Sequence, residues 1–521
     1  MTGALARFLA DPRRAAVGAA VLAALLLSGT VLLTDPPYVT GDEPPHTDYA
    51  YQVWHGELPV FEEGLELRPD GARLAPVQWT AQHPPLYYVL VAPLVGPLAD
   101  AGHPVAAVYA ARAVNTLLAG LFVLVAWWSA GRICHPGSVL PRLVALVAAL
   151  AAAVAHAGGN AFNDLVAALC VTTMFGVGAT AIRRGPGTRL VILLCLLAAA
   201  CSLSRLSAAI IATVITAFVV LAGSVRAAQG RGRWAPVVGL AVGAPATVLA
   251  AAGWFYARNL ALTGNIQGSH FDWALANQVR EVRPVWEVVL DPVIWARLPD
   301  LFWWAGRVPP ATPYSATTLT LTTLLLLWTP LVIALLPHVA PVLRRLRGGA
   351  LAGRTAPAPR AVLPEVDGAV PAHPVPTHPV PTHPVPAHPV PAGAAHVERP
   401  VDRLLVTLLP WAAVAVSVSV QVLYTAASGG AYPRYLLPVA LPIFLGVAAG
   451  LARHPRILVP LWGAVATADL VSWLVAELTT PPQPGLYGEP TVLAAVVGGL
   501  AVCGSVVAIR AVVRTIPPAS G

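Results

Sequence analysis

Along this 521-residue chain, apolar residues come in long unbroken runs separated by short polar breaks, not in strict alternation with polar ones. The runs fall at roughly 14–33, 105–131, 140–158, 164–182, 188–203, 206–224, 234–254, 316–337, 403–425, 435–452, 457–477 and 490–510. Runs of ~20 apolar residues are what an α-helix needs to cross ~30 Å of hydrocarbon. Lipid cannot satisfy backbone N–H and C=O groups, so a spanning segment must be a helix or part of a closed barrel. These runs are too long, too continuous and too rich in Ala, Leu and Val for barrel strands. The pattern predicts an all-α, polytopic helical membrane protein with about twelve transmembrane helices.

Three stretches do not fit as crossings. Residues 34–104 form a large first outer loop, in which the apolar piece "PPLYYVLVAPLVGPL" (84–98) is short and interrupted by proline, so it predicts an interfacial or re-entrant helix. Residues 255–315 form a second outer loop with Trp273, Trp286, Trp295, Trp303 and Trp304, a residue type that favours membrane interfaces. Residues 338–402 carry "HPVPTHPVPTHPVPAHPVPA", with His373, His378, His383 and His388 spaced by fives. Such proline density gives an extended linker that holds the histidines apart along a rod, although four regular histidines could also bind a metal. The chain thus divides into an N-terminus and first span (1–33), the first outer loop (34–104), spans two to seven (105–254) and the second outer loop (255–315). Span eight (316–337), a Pro/His-rich linker (338–402) and spans nine to twelve with the C-terminal tail (403–521) complete it.

Charge orients this scheme. Only 11% of residues are charged against 57% hydrophobic, and the mean hydropathy is +0.69. All 32 basic residues are Arg. With the N-terminus inside, 22 Arg and five acids face the cytoplasm, leaving ten Arg and 19 acids for the outer side and the membrane. That is the positive-inside asymmetry, and it places both termini and the linker in the cytoplasm of a multi-pass cell-membrane protein. The first run resembles a signal peptide but lacks a clean small-residue cleavage site before Asp35, so it reads as an uncleaved helix. The five cysteines lie in or beside apolar runs without a CxxC pair, as small core residues do.

The polar motifs then collect at one membrane face. Asp42, Glu43 and His46 follow the first span, and "QHPPLYY" (82–88), with His83 and Tyr87, lies in the same loop. "NAFNDL" (160–165), "LSRLS" (203–207), "WFYARNLALTGN" (254–265) and "GGAYPRYLLP" (429–438) join them. Each alone has an ordinary explanation, since Asn163-Asp164 before an apolar run is also a helix cap. Their convergence is harder to explain that way, because polar groups at membrane depth are expensive. A carboxylate such as Asp42 can take a proton from an acceptor hydroxyl. Arg205, Arg258 and Arg434 present planar forks suited to phosphate oxygens.

The ordered motifs "DEPPH", "HPPLYY", "NDLVAAL", "SRLSA", "WFYARNLALTGN" and "YPRYLLP" resemble those of bacterial GT-C membrane glycosyltransferases, the family 39-like proteins and a related branch of unassigned function. The resemblance spans residues 14 to about 452. It implies a GT-C-like fold and transfer of a hexosyl or pentosyl group from a polyprenyl-phosphate-linked donor to an envelope glycan, lipid or protein on the outer face. It further implies Asp42 as general base, Glu43 as a neighbour orienting the base or the substrate, Asp164 as a second acid and Arg434 as a lipid-phosphate contact. His46, His83, Tyr87, Asn163, Arg205, Arg258, Asn259 and Tyr435 are the other candidate substrate contacts. His46 reads equally well as the partner of a loop carboxylate. Acids and histidines would suit Mg²⁺ or Mn²⁺, although nothing in the sequence requires a cofactor. Nucleic acid is not an expected partner.

Two other classes compete. A transporter or lipid flippase predicts internal repeats and polar groups at the bilayer midplane, for which Asp469 inside span eleven is the best-suited residue. A non-catalytic scaffold would use the Pro-rich linker to bind aromatic-lined grooves, but leaves the outer acids without a role.

Overall fold

In the computed structural model, described for residues 10–38, 41–70, 72, 74–278, 280–297, 301–304, 317, 320–337, 399–479 and 492–517, every regular element is helical. One compact unit comprises Met1–Leu335 and Pro400–Gly521. The second, Leu336–Arg399, lies almost wholly outside the described residues, and so does the His-Pro repeat.

Its helices are α1 (Pro12–Thr34), α2 (Glu43–Trp54), α3 (Leu86–Asp100), α4 (Pro104–Ile133), α5 (Leu140–Ala149), α6 (Ala152–Gly159), α7 (Asp164–Arg184), α8 (Thr188–Ser204) and α9 (Leu206–Ala228). Next come α10 (Trp234–Thr263), the short α11 (Phe271–Asn277), α12 (Val285–Leu290) and α13 (Pro292–Arg297), and α14 (Thr320–Pro337). After the linker follow α15 (Pro400–Ala426), α16 (Ala440–Leu451), α17 (Pro455–Thr479) and α18 (Val492–Arg514). A 3₁₀ segment, Pro433–Val439, leads into α16.

Every predicted span has a helix, but the count of about twelve is not reproduced by length and composition. Among the described residues ten helices are long and apolar enough to cross, or eleven if α5 and α6, bent by 52°, form one span. Helix α8 has 17 residues, about 25 Å at ~1.5 Å per residue, at the short end of what a crossing needs. The second outer loop begins later than predicted, because α10 continues to Thr263. Nor is that loop wholly interfacial: Leu301, Phe302 and Trp304 are buried. Leu301 O accepts a 3.0 Å bond from Ala153 N, at the α5–α6 bend.

Local chemistry accounts for the helices. Asp11 caps α1 by accepting from Arg13 N, with Pro12 in the first turn, where its missing N–H costs nothing. Hydroxyls inside the spans bond back to carbonyls one turn earlier, as Thr30 does to Leu26 O (2.8 Å) and Thr173 to Leu169 O (2.7 Å). Helices α4, α6 and α18 pack on α1, whose Ala16, Ala20, Ala23 and Ala24 are buried. Small faces let membrane helices approach closely. At Gly159 of α6 a Cβ would run into Val31 and the backbone of Leu32.

The first outer loop carries its own core. Tyr38, Tyr49, Tyr87 and Tyr88 pack with Val91 and Val95 of α3 against Ala107, Val108 and Ala111 of α4. The other side of α3 exposes Val89, Leu90, Pro93, Leu94 and Pro97. An amphiphile's geometry is thus achieved with apolar residues on both faces, one against protein and one available to lipid.

Candidate active site at one end of the bundle

Asp42 and Glu43 are adjacent in sequence, yet they meet different partners. Asp42 is the residue before α2, its side chain 32% exposed, and it pairs with the 22%-exposed guanidinium of Arg434, 392 positions away. Glu43, the first residue of α2, is fully buried. Arg112 of α4 grips it with two bonds, Nε to Oε1 (2.7 Å) and a terminal nitrogen to Oε2 (2.6 Å). Tyr38 N and Ala161 N donate to its oxygens at 3.1 Å each. Arg112 also donates to Leu32 O (3.0 Å), Asp35 O (2.6 Å) and Pro36 O (3.3 Å). Glu43 is expected from the sequence to orient Asp42 or the substrate, and the partners its oxygens meet belong to the scaffold. The network locks the end of α1 to α2 and to the segment before α7.

Asn115, one turn after Arg112, continues the anchor by donating to Asn160 O (2.6 Å) and Phe162 O (2.8 Å). The loop so fixed delivers Phe162, Asn163 and Asp164. Phe162 places its ring 4.8 Å from the Arg434 guanidinium. Asp164, buried at the start of α7, pairs with Arg205, which stands in extended conformation between α8 and α9. The Tyr435 ring lies 5.3 Å from the Arg205 guanidinium and 5.8 Å from that of Arg434. Two aspartate–arginine pairs from four distant segments are therefore bridged by one tyrosine. Asn163 departs from the cap reading: it makes no capping bond, and both amide atoms are buried without a hydrogen-bond partner among the described residues. Buried polar atoms are nearly always satisfied, so such a residue asks for an explanation.

Histidines line the first loop. His46 is buried, its Nδ1 2.8 Å from the Tyr88 hydroxyl, and its ring is stacked 5.9 Å from His83. Desolvation, then the nearby charge of Arg205, lowers the His46 imidazole from 6.5 to about 3, and the same causes hold His83 well below its ordinary value. Both are neutral at physiological pH. Among the recorded bonds His46 pairs with Tyr88, not with a loop carboxylate. Tyr87 is buried beside it with ring centroids 6.5 Å apart. Arg258 donates to Pro59 O (2.6 Å), and Asn259 Nδ2 to Gln82 O (3.2 Å).

Sequence reasoning missed Arg112, and it noticed Asp48 in the polar cluster after the first span without giving it a role. Arg112 sits mid-run on a long apolar helix, and a lone intramembrane arginine was itself the available signal. Asp48 is buried and accepts from Gln52 Nε2 (2.9 Å), Gln78 Nε2 (2.6 Å), Glu66 N (2.8 Å) and Leu67 N (2.7 Å). Burial raises its pKa from 3.8 to about 6, against the lowering effect of those donors.

A cavity of about 360 Å³ adjoins the pairs. Arg205 and Tyr435 lie on its wall with Gln82, His83, Ser207 and Gln421, while Ile210, Ile211, Val420 and Leu423 form an apolar side. Asp42, Asp164 and Arg434 are not part of that wall. Such mixed lining and size are typical of small-molecule sites. Among the described residues no three His, Cys, Asp or Glu side chains gather as a metal site would need. Asp469, the acid best suited to a transporter, accepts a 3.1 Å bond from Trp304 N.

No protein-family model matches the chain, and no curated protein matches it. In its three-dimensional arrangement it is similar to the crystal structure of ArnT from Cupriavidus metallidurans bound to undecaprenyl phosphate, with a TM-score of 0.45 and 12% identity over 98% of this chain and 74% of that one.

Proposed function

We propose that this chain is an integral membrane glycosyltransferase that moves a sugar from a polyprenyl-phosphate-linked donor to an envelope acceptor at the outer membrane face. The observation that carries the reading is the meeting of the Asp42–Arg434 and Asp164–Arg205 pairs at Tyr435, beside a cavity with one apolar wall. The sequence motifs shared with GT-C enzymes support it independently.

Asp42 is the base. It is the more exposed of the two paired acids and can take the proton of an acceptor hydroxyl as that oxygen attacks the anomeric carbon. The bond to the lipid phosphate breaks, and the phosphate leaves with the electron pair. A phosphate leaving group needs positive charge more than a proton donor. Arg205 supplies it, because Arg205 and not Arg434 borders the cavity. Asp164 holds the Arg205 fork, and Arg434, seated over Phe162, holds Asp42 in place. Asn163, buried with both amide atoms unpartnered among the described residues, adds a contact for the substrate.

The test is sugar transfer in membranes of a deletion strain complemented with the wild-type chain or its variants, with mass spectrometry of envelope glycans and lipid-linked sugars. A donor that accumulates in the deletion strain and is consumed on complementation supports the reading. Unchanged glycans and lipid-linked sugars overturn it.

A further inference from the structure

Apart from Arg205, the polar groups that line the cavity are uncharged. Gln82, His83, Ser207, Gln267, Ser269 and Gln421 supply amides, hydroxyls and one imidazole. The imidazole belongs to His83, which its surroundings hold neutral. No carboxylate stands on the wall among the described residues, and Arg205 is its one charged group, already paired with Asp164. From these groups we infer that the sugar carried by the donor is an uncharged hexosyl or pentosyl group, recognised through its hydroxyls. The inference rests on the reading of the cavity as the donor site.

The physical ground is desolvation. An ammonium on an amino sugar would leave water for a pocket whose only fixed charge is itself positive, and a buried charge without a partner is strongly disfavoured. A carboxylate on a uronic acid would have to share Arg205 with Asp164 and the lipid phosphate, three anions on one fork. Neutral hydroxyls meet no such conflict, because each amide and hydroxyl on the wall can donate or accept. The wall is also partly pre-set: Gln421 Nε2 donates to Gly430 O at 2.9 Å and to Thr425 Oγ1 at 3.2 Å, and Gln82 Oε1 accepts from Ser269 Oγ at 3.2 Å. Those bonds fix the direction in which the remaining polar atoms face the cavity. A site built to pair with hydroxyls rejects groups that leave its polar atoms unpaired.

The experiment uses the full chain in lipid nanodiscs and four synthetic probes of one prenyl length: bare polyprenyl phosphate and its glucose, glucosamine and glucuronate esters. Dissociation constants are measured for each at pH 7. The glucose lipid is expected to bind at least tenfold more tightly than either charged analogue. Gln267→Ala, in the second outer loop, should weaken the glucose lipid by about fivefold, the loss of one neutral hydrogen bond, and bare polyprenyl phosphate by much less. Gln421→Leu should do the same, with Gln267→Ala as the arbiter if it folds poorly. Equal or tighter binding of the glucosamine or glucuronate lipid overturns this inference and leaves the donor reading intact. Failure of all four lipids to bind overturns both.

Discussion

At the residue scale, the two neighbouring acids after α1 separate by the geometry of a helix start. Asp42 precedes the first turn and Glu43 opens it, and successive helical side chains point ~100° apart. One therefore reaches Arg434 and the other Arg112. Their variants should fail differently. Asp42→Asn keeps size but cannot take a proton near neutral pH, so transfer should fall by about 10²–10⁴-fold at an unchanged protein level. Glu43→Gln strips the partner from a fully buried arginine, and one-sided loss of a buried pair costs roughly 3–5 kcal/mol. Its signature is a lower thermal midpoint and less folded protein in size-exclusion chromatography. Near-normal transfer by Asp42→Asn would remove Asp42 as the base. Asp48 adds a pH dependence. Its folded value of about 6 lies above the ordinary 3.8, so the folded chain holds the extra proton between those values. Stability from this group is greatest below pH 3.8 and falls as pH rises through about 6, by roughly 3 kcal/mol in total. Thermal unfolding between pH 4 and 7 should lose that slope in Asp48→Asn. The sequence exposed Asp42, Asp164, Arg205 and Arg434 as odd residues in an oily chain. It did not show who pairs with whom, since the pairing of Asp42 with Arg434 is a property of packing and not of spacing.

At the element scale, run length was enough to find the helices, because a lipid solvent leaves a long apolar run no other fold. What run length could not reveal is where a helix bends. The α5–α6 pair reads as one straight span, and its bend at 150–151 lies beside the Ala153 N–Leu301 O bond to a segment far away in sequence. Close approach is equally invisible: Gly158 and Gly159 look like helix-weakening residues but sit where α6 meets Ser28 and Val31 of α1. Gly159→Leu should overpack that contact, at a cost of about 1–3 kcal/mol. Helix α6 leads directly into the Asn160–Asp164 loop, so the same variant should lower transfer as well as the thermal midpoint. A surface control such as Gly131→Leu, where an added Cβ meets nothing within 4 Å, should change neither. An effect of equal size at both glycines would mean that packing at α1–α6 is not the cause.

At the scale of the whole molecule, ionic bonds tie both ends of the bundle, and among the described residues the two ends differ in what surrounds those bonds. Helix α9 runs 23 residues from Arg205 to its last turn, a distance of roughly 30 Å. There Arg226 pairs with Asp402 and donates to Ile182 O (2.8 Å) and Arg183 O (2.6 Å), while Arg183 donates to Ile133 O (2.6 Å). That end is knotted to backbone carbonyls and is structural. The end with the Asp42–Arg434 and Asp164–Arg205 pairs borders the cavity instead. From the excess of arginine in the predicted inner loops we expect the Arg226 end in the cytoplasm and the Asp42–Arg434 end outside, and the proposed function requires that orientation, since an envelope acceptor is met only there. Single cysteines in a chain freed of its five native ones test it with a membrane-impermeant maleimide. Glu63, exposed in the first outer loop, should label in intact cells as Glu63→Cys. Ala369→Cys, in the linker, should label only after the cells are opened. Position 63 is preferable to the neighbouring Gly64, whose φ of +77° would strain any side chain placed there. Labelling at 369 in intact cells together with protection at 63 would invert the chain, and an inward-facing Asp42 could no longer serve an acceptor in the envelope.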